Sequence, residues 1–294
     1  MKTKTILITG ATGQDGIILS KILIENQYNV YCFVKKKITN KIANIIYYNI
    51  KNKNFDKIQK ILNMIDPDVI VHFGSDNPSF KKPFNKFHYT KNLDFTKKLI
   101  NYSGNNNIKF IFPSSSQIFK NSNNKVNELS KTHITSYYAK FRIYSSNHLL
   151  KIKNKKKIKS TIAILFNHDS KYRKKRFLLP RLLKSIKDKK YGFVKNIYRK
   201  NISGDFSHAE DICYGLYLLI KSKKNPNKLI FSSGIRTEIN RIIEYFFPKI
   251  KKDKLINNIN TSSNIGNNLK ACKILKWKIK KKALDAAKEI YNEI

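Results

Sequence analysis

Short apolar runs alternate with helix-spaced apolar positions along the first half of the chain. Ile6–Ile8, Val30–Val34, Ile45–Tyr48, Val69–Phe73, Lys109–Phe112 and Thr161–Phe166 read as strands. Between them, Ile17 to about Asn26, Phe55–Met64, Thr90–Tyr102 and Tyr138–Leu150 carry helical spacing. The second of these stops before Asp66-Pro67, because the residue before a proline disfavours the helical region. Strands that are apolar throughout, not alternating, predict a parallel sheet covered by helices on both faces. The fold expected is therefore α/β: a Rossmann-like, doubly wound parallel sheet. The polar stretch 121–127 and the basic run 153–159 read as surface loops. After Phe166 the alternation fades, and a small C-terminal substrate-binding cap is expected. The boundaries are 1–166 for the dinucleotide-binding part, with 205–233 returning to it through Leu229–Phe231, and 167–204 plus 234–294 for the cap.

The first strand ends in a cluster holding Gly10, Thr12, Gly13, Gln14, Asp15 and Gly16, and a helix follows at once. Strand, glycine turn and helix form a cradle for a pyrophosphate. Gly10 permits the tight turn, Gly13 lets backbone N–H groups approach the phosphates, and Gly16 lets the helix close on the strand. The helix N-terminus adds unpaired N–H groups and a positive dipole end.

Composition narrows the class. The chain has 294 residues, enough for one large domain or a domain with a cap. No run of about 18 apolar residues is present, so no membrane partner is expected. Cys32, Cys213 and Cys272 lie far apart, without the spacing of a metal site or a disulfide frame, and no metal is expected. Met1-Lys-Thr-Lys is too short for a signal peptide, and the expected compartment is the cytoplasm. The formal charge of +41 raises nucleic-acid binding as an alternative. Yet only seven of the 60 basic residues are arginine, and the lysines are spread along the whole chain together with Asn and Ile. That is the signature of A/T-rich coding, whereas base and phosphate recognition favours the arginine fork. No specific nucleic-acid partner is expected.

In this fold, ligands sit beyond the carboxyl ends of the strands. After the second strand stand Lys35-Lys36-Lys37, where a cation suits the extra phosphate of NADP and an acid would suit NAD. NADP is the expected cofactor, with NAD as the alternative. Pro113-Ser-Ser-Ser-Gln117 follows the central strand, and its hydroxyls are placed to bond a substrate oxygen. The next helix opens Ser136-Tyr137-Tyr138-Ala-Lys140-Phe-Arg142. Tyr138 and Arg142, four apart, share a helical face. A neighbouring cation favours the phenolate and so helps the tyrosine move a proton. Tyr137 and Lys140 form a second candidate pair.

Four blocks in order resemble the GDP-mannose 4,6-dehydratase family of the extended short-chain dehydrogenase/reductases. They are Ile8-Thr-Gly-Ala-Thr-Gly-Gln-Asp-Gly16, Ile164-Leu-Phe-Asn-His-Asp-Ser170 (family L-F-N-H-E-S), Gly204-Asp-Phe-Ser-His-Ala-Glu-Asp211 (family R-D-W-G-H-A-x-D), and Gly266 to Trp277. The resemblance implies a nucleotide-sugar substrate, GDP-linked, and a homodimer or homotetramer. It places the family's catalytic serine or threonine on Ser115 and its Y-x-x-x-K on Tyr138 and Arg142. Its substrate asparagine falls on Asn167, with Arg181 and Arg199 as further substrate contacts and Lys35 and Asn49 as further cofactor contacts. The family's catalytic glutamate falls on Gln117, and a neutral amide cannot accept the C5 proton that dehydration removes. Glu128 and His133 are the nearby replacement candidates. The arginine of R-D-W is Gly204 here, with Arg199 or Lys200 as stand-ins, and the family's R-P-x-E is missing. The resemblance thus implies either a dehydratase with a substitute base, a reductase or epimerase of 4-keto sugar nucleotides, or a cofactor-binding homologue that has lost catalysis.

Overall fold

The computed structural model describes residues 3–35, 38, 41–79, 82–121, 124–253 and 261–294. The chain begins β1 (Thr5–Thr9), α1 (Gln14–Glu25), β2 (Asn29–Val34), β3 (Ile45–Asn49), α2 (Phe55–Ile65), β4 (Val69–His72), α3 (Lys86–Asn105) and β5 (Lys109–Ser115). It continues β6 (Lys125–Val126), α4 (Tyr137–Lys156), β7 (Ser160–Leu165), β8 (Asn167–Asp169), α5 (Leu178–Lys187), α6 (Tyr191–Arg199), β9 (Ser203–His208) and α7 (Ala209–Lys221). The last elements are β10 (Lys228–Phe231), β11 (Arg236–Glu238), α8 (Ile239–Phe246), β12 (Ile265–Gly266), α9 (Leu269–Leu275) and α10 (Ala283–Glu293).

Seven strands form a parallel sheet in the order β10-β7-β5-β4-β1-β2-β3. The order reverses between β1 and β4, which opens a crevice at their carboxyl ends. Alternate residues of each strand feed opposite layers. Ile6 and Ile8 pack with α1, α7 and α9, whereas Leu7 packs with α2, α3 and α4. This double cover is why the strands read as continuously apolar. A third apolar cluster joins α5, α6, α8 and α10 into the cap. A three-stranded sheet of β11, β9 and β8 lies beside it, so residues 205–208 belong to that small sheet, and the chain comes back to the large one at β10. Among the described residues, no helix is long and apolar enough to cross a membrane.

Two loop expectations are corrected. Helix α4 runs on to Lys156, so most of the basic run 153–159 is helical, and the Lys153 ammonium donates to the carbonyls of Ser160 and Asn225. Within 121–127, Lys125–Val126 form β6, paired in parallel with β12. Asn121 donates to the Ser262 carbonyl, and residues 122 and 123 lie outside the described set. Helix α3 also starts four residues earlier than its apolar spacing predicts. Asn85 accepts from the His88 N–H at its N-terminus and adds a turn that apolar periodicity does not register.

One polar group ties the sheet to its helices. The buried Lys109 ammonium donates to the carbonyls of Leu219 (2.7 Å), Ile220 (3.3 Å) and Ser222 (2.8 Å), closing the end of α7. Lys109→Met keeps the aliphatic stem but leaves these carbonyls without their cation. It is expected to destabilise the fold by roughly 2–3 kcal/mol. A denaturant midpoint equal to that of the parent protein would refute this role.

Candidate functional site

A cleft of about 580 Å³ opens at the crevice between β1 and β4. The glycine turn forms its floor. Gly10 sits at φ +73°, and a Cβ there would lie 2.8 Å from the Gly74 nitrogen, so the turn closes directly against the loop after β4. Gly16 is closed equally tightly, 2.6 Å from the Ala11 Cα. Gly13 caps α1 without any side-chain hydrogen bond, which leaves the helix N-terminus facing the cleft beside Thr12.

Gln14 and Asp15 line the cleft but are committed to its frame. The Gln14 amide donates to Asp15 (3.0 Å) and to the His168 carbonyl (3.2 Å), and its oxygen accepts from Ser170 (3.0 Å). Asp15 Oδ1 lies 2.9 Å from His168 Nε2, while His168 Nδ1 lies 2.6 Å from the Phe166 carbonyl. Both partners of the imidazole are acceptors, so both ring nitrogens carry protons. Burial opposes the charge on each partner of the pair. Asp15 together with the Phe166 carbonyl nevertheless raises the His168 imidazole, and the imidazolium together with Arg173 and the Gln14 amide holds Asp15 down at about 2. The glycine turn is thereby clamped to the strand that carries Asn167.

A second histidine is held neutral. His72 at the end of β4 lies between the Thr9 hydroxyl (2.6 Å) and the Thr96 hydroxyl (2.9 Å), and Thr9 Oγ1 also accepts from the Gly74 N–H. Burial, with the Arg142 and Lys35 charges, holds this imidazole down at about 3. The unfolded chain therefore takes up a proton below its ordinary 6.5 that the folded chain refuses. Stability is expected to fall with falling pH from there, by up to about 1.4 kcal/mol per pH unit. Asp15 adds to the loss below its ordinary 3.8. His168 acts in the opposite sense: its stabilisation is complete below 6.5 and fades as pH rises through its raised folded value. Chemical denaturation across pH checks this; His72→Gln should flatten the acid limb, and an unchanged slope would contradict it.

On the other side of the crevice the structure separates the two tyrosine pairs. Tyr138 and Arg142 line the cleft and are buried. Tyr137 is exposed with its ring near Tyr89, and Lys140 lies over the rings of Tyr89 and Tyr144. The Tyr138 hydroxyl donates to Asn77 Oδ1 (3.2 Å). Arg142 donates to the Pro113 carbonyl (2.6 Å), Ser75 Oγ (2.9 Å) and Asn77 Oδ1 (3.2 Å), with its guanidinium carbon 4.9 Å from the Tyr138 ring. Ser115 ends β5 at the cleft, and its hydroxyl accepts from the Gln117 N–H (3.3 Å). Gln117 is exposed and also lines the cleft.

Neither replacement base stands there. Glu128 is buried and accepts from the Ile230 N–H at the edge of β10 (3.1 Å). The His133 N–H donates to the Ile118 carbonyl, and neither residue is among those lining the cleft. The carboxylates that do line it, among the described residues, are Asp15, Asp76 and Asp169. Each has a cation: His168, Lys82 at 3.0 Å and Arg173 at 2.9 Å.

Lys35 and Asn167 line the cleft; Lys36 and Lys37 lie outside the described residues. Three expected contacts do not reach it. Asn49 accepts from the Lys51 N–H at the sheet edge, Arg181 stacks on Phe193 at 4.2 Å within the cap, and Arg199 is exposed on α6. Lys200, the other proposed stand-in, is exposed just beyond α6. The loop after β4, with Ser75, Asp76 and Asn77, carries no sequence motif. Its signal is positional: it follows a strand at the reversal of strand order.

The family model for GDP-mannose 4,6 dehydratase matches residues 7–289. The chain belongs to this family. Its members are enzymes of the extended short-chain dehydrogenase/reductase type. Among curated relatives, the GDP-mannose 4,6 dehydratase of Drosophila melanogaster is 23% identical over 86% of this chain and 69% of its own length. The Homo sapiens enzyme of that name is 24% identical over 84% of this chain and 72% of its own. The fold is shared with a dTDP-glucose 4,6-dehydratase from Bacillus anthracis solved with NAD (TM-score 0.81, 15% identity, 99% and 96% of the two chains). It is also shared with a UDP-glucose 4-epimerase from Thermotoga maritima solved with UDP-glucose (TM-score 0.81, 17% identity, 98% of each chain). The sequence resemblance sets the glycine turn, Tyr138 and Gln117 of this chain against the family's glycine turn, tyrosine and glutamate.

Proposed function

We propose that this family member is an NADP-dependent enzyme interconverting an alcohol and a ketone at C4 of a GDP-linked sugar, without dehydration. The observation that carries the proposal is the company of Tyr138 and Ser115 in a cleft whose described carboxylates are all paired to cations. The open N-terminus of α1 beside Gly13 fits a dinucleotide pyrophosphate. Lys35 suits a further phosphate on the ribose. A nicotinamide bound there supplies a hydride acceptor or donor. Tyr138 gives a proton to the C4 oxygen or takes one from it, and Ser115 holds that oxygen by a hydrogen bond. Arg142 binds the Pro113 carbonyl and Asn77, so it orients β5 and the tyrosine at once. Asn167 offers an amide to the sugar nucleotide. In this reading the large sheet holds the cofactor and the α5, α6, α8 and α10 cluster holds the substrate.

The test follows purified protein with NADPH and a GDP-4-keto-6-deoxy sugar, and separately with NADP and GDP-mannose. Oxidation of NADPH by the keto sugar, with no water lost from GDP-mannose, is the expected result. Conversion of GDP-mannose to a 4-keto-6-deoxy product would overturn the reading. NADP binding without turnover of any sugar nucleotide would favour the reading in which catalysis has been lost.

A further inference from the structure

The segment between β8 and α5 builds a cationic wall that the proton chemistry does not use. Arg173, Lys174 and Arg176 all line the cleft. Phe177 gathers two of them, with guanidinium carbons 3.7 Å (Arg173) and 5.3 Å (Arg176) from its ring centroid. Asp169 pairs with Arg173 at 2.9 Å, and Asp15 on the glycine turn, which also feels the Arg173 charge, is held by His168. The Nε of Arg176 is buried and makes no hydrogen bond. Two guanidinium groups share one ring and Asp169 is paired with Arg173, so positive charge is left on the Arg176 side of a half-enclosed site. An anion with several acceptor oxygens completes such a site.

At the position where the resemblance places the family's arginine, Ser263 occupies the space beside the backbone. A Cβ at Gly204 would lie 1.9 Å from Ser263 Oγ, and that hydroxyl is bonded to the Ser203 carbonyl. Arg199 is exposed on α6 and does not line the cleft. The cap side of the cleft therefore draws its cations from the segment before α5. Leu178 and Phe206, which line the same cleft, pack against the cap cluster, so this wall faces the substrate half of the site.

We infer that Arg176, set beside Arg173 on Phe177, grips the diphosphate of the nucleotide-linked substrate in place of an arginine at 204. This rests on the nucleotide-sugar reading above. It separates two anions in one cleft: the cofactor pyrophosphate goes to the glycine turn, and the substrate diphosphate goes to the wall before α5.

The experiment measures GDP and UDP affinity of the intact protein by calorimetry and NADPH affinity by fluorescence, with thermal melting as a folding control. Arg176→Ala is expected to weaken GDP and UDP by about ten-fold or more while NADPH stays within about two-fold. Arg176→Lys should recover part of the loss. Unchanged GDP affinity overturns the assignment while leaving the nucleotide-sugar reading intact. A parallel fall in NADPH affinity overturns it in favour of the cofactor. If the parent protein binds NADPH but neither GDP nor UDP, the nucleotide-sugar reading itself fails.

Discussion

Tyr138→Phe is expected to lower kcat for the keto sugar by about 10²–10⁴-fold, the range for losing a positioned general acid. The ring is buried against Phe84 at 5.4 Å and stays so in the variant, so fold and cofactor cradle are kept. What goes is one hydroxyl, held toward Asn77 by the same amide oxygen that Arg142 contacts. Tyr137→Phe is the control: its side chain is exposed, packs near Tyr89 outside the cleft, and should leave turnover unchanged. Steady-state kinetics with both variants, alongside NADPH affinity, decide the matter. A Tyr138→Phe enzyme that turns over like its parent would remove Tyr138 from the reaction.

The features legible in the sequence are those that local rules write. The parallel sheet follows from uninterrupted apolar strands, because helices cover both faces. The cradle follows from three glycines between a strand and a helix, and two of them lie where any Cβ would strike backbone. Helical spacing alone proposed two tyrosine pairs and left them open, since which face of α4 meets the cleft depends on its contact with β5. Contacts that cross the chain were not legible. Asn77 meets Tyr138 across 61 positions, and Asp15 meets His168 across 153. The resemblance puts Arg181 and Arg199 among the substrate contacts, but it carries no information on helix phase. Helix phase sends Arg181 to Phe193 and leaves Arg199 exposed to solvent. Glu128 likewise stands close in sequence to the tyrosine, yet its carboxylate is spent on the edge of β10, whose Ile230 N–H faces away from β7.

Gln117 stands where the sequence resemblance places the family's catalytic glutamate, and on that reading Gln117→Glu is expected to restore dehydration. Dehydration needs a carboxylate that takes the C5 proton from the transient 4-ketone and returns a proton to the departing C6 hydroxyl. Asp15, Asp76 and Asp169 each already face a cation: His168, Lys82 and Arg173 in turn. A glutamate at 117 would follow Ser115 by two residues at the open end of β5, exposed and without a partner of its own, ionised near neutral pH. The exchange of amide for carboxylate keeps the side-chain shape, so packing is undisturbed. Water loss from GDP-mannose with NADP should rise by at least about 10²-fold over the parent. Mass spectrometry of the product and deuterium uptake at C5 in heavy water measure it. Hydride exchange at C4 that persists in the variant with no deuterium at C5 would show that position 117 does not reach C5. In that case, the missing carboxylate is not what separates this chain from a dehydratase.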